Sequence, residues 1–176
     1  MIVSLLYWSR EFPVFRKFKM GLKRYGIYTK KEVHDQLDPD SSFYYYCGKW
    51  GINGVIKFGL DADQFALFVT LGNDTAYNGI VQTINKDGRL KWCSPLRQGV
   101  NSKNTKRLLK SGRLNSGVYI FGRRNTDYNE AKEKTFVFLG MGQEPEILEE
   151  IEIPNVVSWK ITSIDLDNPN VKRLMD

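Results

Sequence analysis

Residues 64–71 constrain the fold of this chain more than any other stretch. Phe65, Leu67, Val69 and Leu71 fall on one face of an extended segment, and Ala66, Phe68 and Thr70 fall on the other. Side chains alternate across a strand, so a segment apolar on both faces predicts a central strand, not an edge. A chain of 176 residues with 41% apolar content, 10 Phe, 9 Tyr and 4 Trp is large and apolar enough for one packed core around it.

Short strand candidates separated by turn signals surround this segment. Residues 43–47 read as a strand followed by Gly48, Gly51 and Gly54, and residues 55–58 as a second. Residues 79–84 and 89–93 form a hairpin around Asn85-Lys86-Asp87-Gly88. Residues 117–121, 135–139, 145–153 and 156–161 complete the set, the third with an acidic alternation and the last with Val157, Trp159 and Ile161 facing inward. Three segments read as helices. Residues 1–25 are amphipathic and interrupted at Pro13. Thr29 and Glu32 have capping-box spacing ahead of Val33 and Leu37. Ser102 caps a basic helix that Gly112 ends. The pattern predicts an α+β chain, mainly β, with a curved sheet or partly closed barrel and a few short flanking helices. A basic helical segment over 1–27, a single domain over 28–162 and a tail over 163–176 is the expected organisation.

Charge is segmented. From Lys86 to Lys134, thirteen Lys and Arg stand against four acids, a net +9. Residues 1–31 carry +7, whereas residues 32–85 and 135–176 each carry −5. Trp92, Ser94, Gln98, Asn101, Asn104, Thr105 and Tyr119 are interleaved with the central cations. Cations neutralise phosphates, aromatic rings stack on bases and polar tips read base edges, so the segment suits a nucleic-acid surface. The plainer alternative is solvated charge scattered over a fold. Arg97, Lys103, Lys106, Arg107, Arg123 and Arg124 are the candidate phosphate contacts, with Arg107 and Arg123 foremost.

Catalytic patterns are sparse. The single histidine, His34, falls within the early helix and reads as a helix-surface residue. Cys47 and Cys93 with one histidine do not make a zinc site or a disulfide framework, and no P-loop or dinucleotide fingerprint occurs. Asp61, Asp63 and Asp74 flank the central strand and are the remaining option, as acids of a small metal-dependent nuclease. The favoured expectation is a non-enzymatic protein without metal or cofactor. Its two cysteines and the lack of any bilayer-length apolar run indicate a cytoplasmic setting.

Several segments taken in order carry a family resemblance. They are Tyr28-Thr29-Lys30-Lys31-Glu32-Val33, Gly54-Val55, Leu67-Phe68-Val69-Thr70-Leu71, Leu90-Lys91-Trp92-Cys93-Ser94, Val118-Tyr119-Ile120-Phe121-Gly122-Arg123, Thr135-Phe136-Val137-Phe138-Leu139-Gly140 and Pro154-Asn155-Val156-Val157-Ser158-Trp159-Lys160-Ile161. Together they resemble the C-terminal domain of bacterial phospholipase-D-type nuclease/helicase proteins of modification-dependent (type IV) restriction. That domain is similar to SRA modules of the PUA-like β-barrel superfamily.

The resemblance implies a reader of modified cytosine, 5-methylcytosine foremost, that flips the base out of double-stranded DNA and targets a nuclease or helicase in cis or in trans. A pocket can surround a methyl group that a duplex presents only at its groove edge. By the resemblance, Trp92 and Ser94 belong to the base pocket with Tyr77, and Tyr119 is a further candidate. Where the family usually carries an acid two residues after that tyrosine, this chain has Gly79. Asp74, Asn78 or a backbone carbonyl is then left to read the base. A general DNA- or RNA-binding module of the same fold, without flipping, is the alternative.

Overall fold

The computed structural model describes residues 21–59, 63–72, 79–95, 99, 101–114, 117–124, 134–149 and 155–175. Among these, β1 is Ile27–Thr29, α1 Lys30–Leu37, α2 Gly48–Ile52, β2 Val55–Phe58, β3 Gln64–Leu71, β4 Thr83–Ile84 and β5 Arg89–Cys93. They are followed by α3 Lys103–Arg113, β6 Val118–Arg124, β7 Thr135–Glu149, β8 Val156–Ile161 and α4 Pro169–Met175.

β3 is central, as its two apolar faces require. It pairs antiparallel with β2 on one side and parallel with β6 on the other, within the order β2-β3-β6-β7-β8-β5-β4, and β1 adds to β7. Phe65, Leu67, Val69 and Leu71 enter a core with Leu90, Trp92, Val157 and Trp159, closed by Leu108 and Leu109 of α3 and Val171 and Leu174 of α4. Ala66 and Phe68 enter a second core with Tyr119, Phe121, Phe136 and Phe138, closed by Val33 of α1 and Trp50 of α2. One sheet thus separates two apolar layers, the α3/α4 layer and the α1/α2 layer.

β7 joins the two halves of the sheet. Its early residues pair with β1 and β6, and from Gly142 onward it pairs with β8. Register shifts between Gln143 and Glu146 and again between Ile147 and Glu149 bend it at Pro145. The acidic segment expected as a separate strand is therefore, up to Glu149, the second half of β7.

The chain is α+β and mainly β as expected, but of the two expected forms, a curved sheet or a partly closed barrel, the barrel is not made: the mixed eight-stranded sheet is open, because its terminal strands β2 and β4 do not pair. Gln82, just ahead of β4, bridges β5 back to β3. Its amide donates to the Thr70 carbonyl at 3.1 Å and accepts from Cys93 N at 3.0 Å. A two-residue β4 is too short to close the gap.

Other expectations hold locally. The capping box of α1 is formed in both directions: Glu32 N donates to Thr29 Oγ1 at 3.2 Å, and Thr29 N to Glu32 Oε2 at 2.7 Å. The hairpin turns at Gly88, whose φ of 72° suits glycine. Ser102 caps α3 through Thr105 N at 3.2 Å. Gly112 does not end that helix but lies inside it, where a Cβ would strike the Trp159 ring. Residues 43–47 are a loop and turn, not a strand. The terminal segment is anchored, since α4 buries Val171 and Leu174. Residues 1–20 of the expected N-terminal helix lie outside the described residues, and residues 21–26 are turn and coil. Among the described residues no helix is long and apolar enough to cross a membrane.

Candidate functional site

A cleft of about 490 Å³ opens on the α1/α2 side of the sheet, within the range usual for ligand pockets. Its floor comes from alternate residues of three strands. The parallel register sets Phe68 of β3 beside Phe121 of β6, and Thr70 beside Arg123. Phe68 stacks on Phe121 with ring centroids 4.9 Å apart and meets Phe136 of β7 edge-on, also at 4.9 Å.

The rim comes from the loop between α1 and α2. Tyr45 and Tyr46 line the cleft, and Tyr46 is 78% exposed. Asp38 fixes this loop from below. Its Oδ2 accepts from Ser41 Oγ, Lys49 Nζ and Trp50 Nε1, each at 2.8 Å. Burial alone would raise the Asp38 carboxyl, but these hydrogen bonds outweigh it and hold the group below the usual carboxylate range. Gly51 lets the loop fold back, since a Cβ there would collide with the Tyr44 carbonyl. Tyr46 has a φ of 61°, unusual for a residue with a side chain. His34, expected on the helix surface, is buried beneath the loop between the rings of Phe43 (5.4 Å) and Trp50 (5.3 Å).

Lys30, Lys31, Arg123 and Lys134 bring positive charge to the cleft, and its described lining contains no carboxylate. Arg123 is 9% exposed; its Nε donates to Thr70 Oγ1 at 3.0 Å and its guanidinium lies 4.8 Å from the centroid of Phe136. Lys30 Nζ donates to the Asn53 carbonyl at 2.8 Å and lies 5.1 Å from the Phe68 centroid. Burial, followed by the charges of Arg123 and Lys134, lowers the pKa of Lys30 to about 8. The arrangement sets the exposed rings of Tyr45 and Tyr46 and the cations around one opening over an aromatic floor.

The sequence-derived candidates divide between the two faces. Arg123 lies in the cleft. Tyr119 faces the same side but is packed against Phe58 and Phe138 within the core, 4% exposed. Burial raises its phenol pKa. Trp92 lies in the other layer, 4% exposed and in edge contact with Trp159, so its ring faces are used by packing and not offered to a base. Ser94 is wholly buried and its Oγ accepts from Asn155 N at 2.9 Å. Asp74, Tyr77, Asn78 and Arg97 lie outside the described residues. Gly79, where the resemblance expects an acid, has a φ of 81° that L side chains rarely adopt.

The basic helix α3 belongs to the face opposite the cleft. It buries Leu108 and Leu109 and leaves Lys103, Lys106 and Lys110 exposed. Arg107 pairs with Asp63 at 3.4 Å, and Asp63 also holds Lys57 at 2.6 Å. Of the three possible nuclease acids, Asp63 is thus engaged by two cations, and Asp61 and Asp74 lie outside the described residues. Among the described residues, no group of three or more His, Cys, Asp and Glu could share a metal ion. Arg124, at the end of β6, is half-buried.

Lys30, Phe68, Thr70, Lys134 and Phe136 are site residues that the sequence reading did not select. Around the cleft the run Tyr44-Tyr45-Tyr46 ahead of three glycines is the local signal in the sequence, read above only as part of a strand. No model of a known protein family matches the chain, and no curated protein matches it either.

Proposed function

We propose that the protein is a DNA-binding reader module that takes a modified cytosine out of the duplex into the cleft on the α1/α2 face. The observation that carries this reading is the cleft itself: the exposed Tyr45 and Tyr46 supply ring faces above an aromatic floor of Phe68 and Phe136, beside Lys30 and Arg123 and with no described lining carboxylate. Stacking holds an extruded base irrespective of sequence, and cations hold the backbone that delivers it. The resemblance to SRA-like domains directs the choice of base to 5-methylcytosine. It also directs the role, that of targeting a nuclease or helicase in cis or in trans. In this reading the base stacks on Tyr45 above the floor of Phe68 and Phe136, and not on Trp92, whose ring is packed in the other layer.

The exposed row Lys103, Lys106 and Lys110 favours a second reading, a general polyanion binder that uses α3 without flipping. Gel-shift titration with methylated, hydroxymethylated and unmodified duplexes at several salt concentrations separates the two. The reader prefers one modified duplex at every salt concentration. Equal affinity for all three duplexes, falling steeply with salt, leaves only the general binder.

A further inference from the structure

Lys30 is placed where a cation costs free energy. It sits in the first turn of α1, the helix end that favours negative charge. It is half-buried, and Arg123 and Lys134 repel it. Its described partners, the Asn53 carbonyl and the Phe68 ring, carry no net charge. A group held this way gains the most when an anion arrives.

We propose that Lys30, together with Arg123 and Lys134 around the same cleft, forms a seat for the phosphate attached to the captured nucleotide. The inference rests on the reading of the cleft as a base pocket. It adds that the ligand is recognised as a nucleotide rather than as a bare base, and that filling the seat draws a proton onto Lys30. The sign follows from linkage. Free Lys30 loses its proton above about pH 8. A bound phosphate stabilises the charged form and raises that pKa, so binding takes up a proton in the interval between the two values and weakens as pH rises through it.

The charged neighbours allow this attribution. On α1, Lys31 is paired with Asp35 and Glu32 is held by Thr29; on α2, Lys49 is paired with Asp38. Arg123 of β6 and Lys134 just ahead of β7 are the charges that act on Lys30. The loop adds the phenols of Tyr45 and Tyr46 and the thiol of Cys47. A Lys30→Arg variant leaves all of these in place while removing the titrating amine.

The test is calorimetric titration of the whole chain with 5-methyldeoxycytidine 5′-monophosphate, with the nucleoside lacking the phosphate, and with deoxyribose 5-phosphate. Each is run near pH 7 and near pH 9.5 in buffers of different ionisation heat, with a further run near pH 8.5 for the proton count. The nucleotide should bind about tenfold tighter than the nucleoside near pH 7, the worth of one charge-assisted contact. Proton uptake should appear near pH 8.5, and the preference should shrink near pH 9.5. Lys30→Arg should keep the preference at both pH values, and Lys30→Met should lose it at both. Equal binding of nucleotide and nucleoside overturns the phosphate seat and leaves the base pocket standing. Deoxyribose 5-phosphate binding as tightly as the nucleotide keeps the seat and overturns the base reading. No binding by any of the three overturns both. Unchanged proton uptake in Lys30→Arg overturns the role of Lys30.

Discussion

The two faces of the sheet carry cations and aromatic rings alike, but in opposite arrangements. On the α3/α4 face, Trp92 and Trp159 are buried in the core, and the exposed cations stand on the outer side of a helix. On the α1/α2 face, the order is mixed: Tyr45 and Tyr46 stand at the surface, while Lys30 and Arg123 are drawn in against the rings of Phe68 and Phe136. A cation in water attracts any polyanion and is screened by salt. A cation held over a ring inside a cleft has a fixed direction and a depleted hydration shell, so it can select. The same residue types thus yield a general surface on one side and a candidate recognition site on the other.

Aromatic residues on the two faces should respond to substitution in opposite ways. Trp92→Ala should cost about 3–5 kcal/mol of stability, measured by chemical denaturation, because it opens a cavity against Trp159. If Trp92 served as a base platform, the variant would keep its stability and lose binding instead.

Asp38→Ala should cost about 2–3 kcal/mol through the loss of three hydrogen bonds in a partly buried site, and it should weaken binding by loosening the tyrosine loop. Acid should act in the same way. The folded pKa of Asp38 is depressed, so its contribution is complete above the ordinary carboxylate value and disappears as pH falls through the lower folded value. Trp50 fluorescence, followed as pH is lowered, reports the release.

Tyr45→Ala should leave the melting temperature unchanged and cost about 1–3 kcal/mol of DNA affinity, the usual worth of one stacked base. Lys106→Ala should have the smallest effect. Stability should stay within about 0.5 kcal/mol, and all duplexes should weaken alike with a salt slope flatter by about one unit.

The parts of this architecture that were legible in the sequence are those set by local chemistry. Alternation marked β3 as central, Thr29 and Glu32 marked the start of α1, Asp87-Gly88 marked the hairpin, and Ser102 marked α3. Residues 43–47 misled because Phe and three Tyr favour strands, whereas the side chain of Asp38 and the bare backbone of Gly51 hold that stretch as a loop. The terminal helix was hidden because its stabilisation comes from burying Val171 and Leu174 against β6 and β7, a tertiary effect. The cleft was largely illegible. Its residues come from α1, the 43–46 loop, β3, β6 and β7, and only the parallel register of β3 with β6 sets Thr70 beside Arg123. Reading charge by sequence block merged Arg107 and Arg123 into one surface, although the sheet separates them.

The cleft face and the α3 face should differ in whether they discriminate between modified and unmodified DNA. The direct measurement is the affinity ratio between methylated and unmodified duplexes for Tyr45→Ala and for Lys106→Ala, each compared with the parent chain at fixed salt. The ratio should collapse toward one in Tyr45→Ala and stay unchanged in Lys106→Ala while both affinities fall together. A ratio that survives Tyr45→Ala and collapses in Lys106→Ala would place recognition on α3 and contradict the cleft.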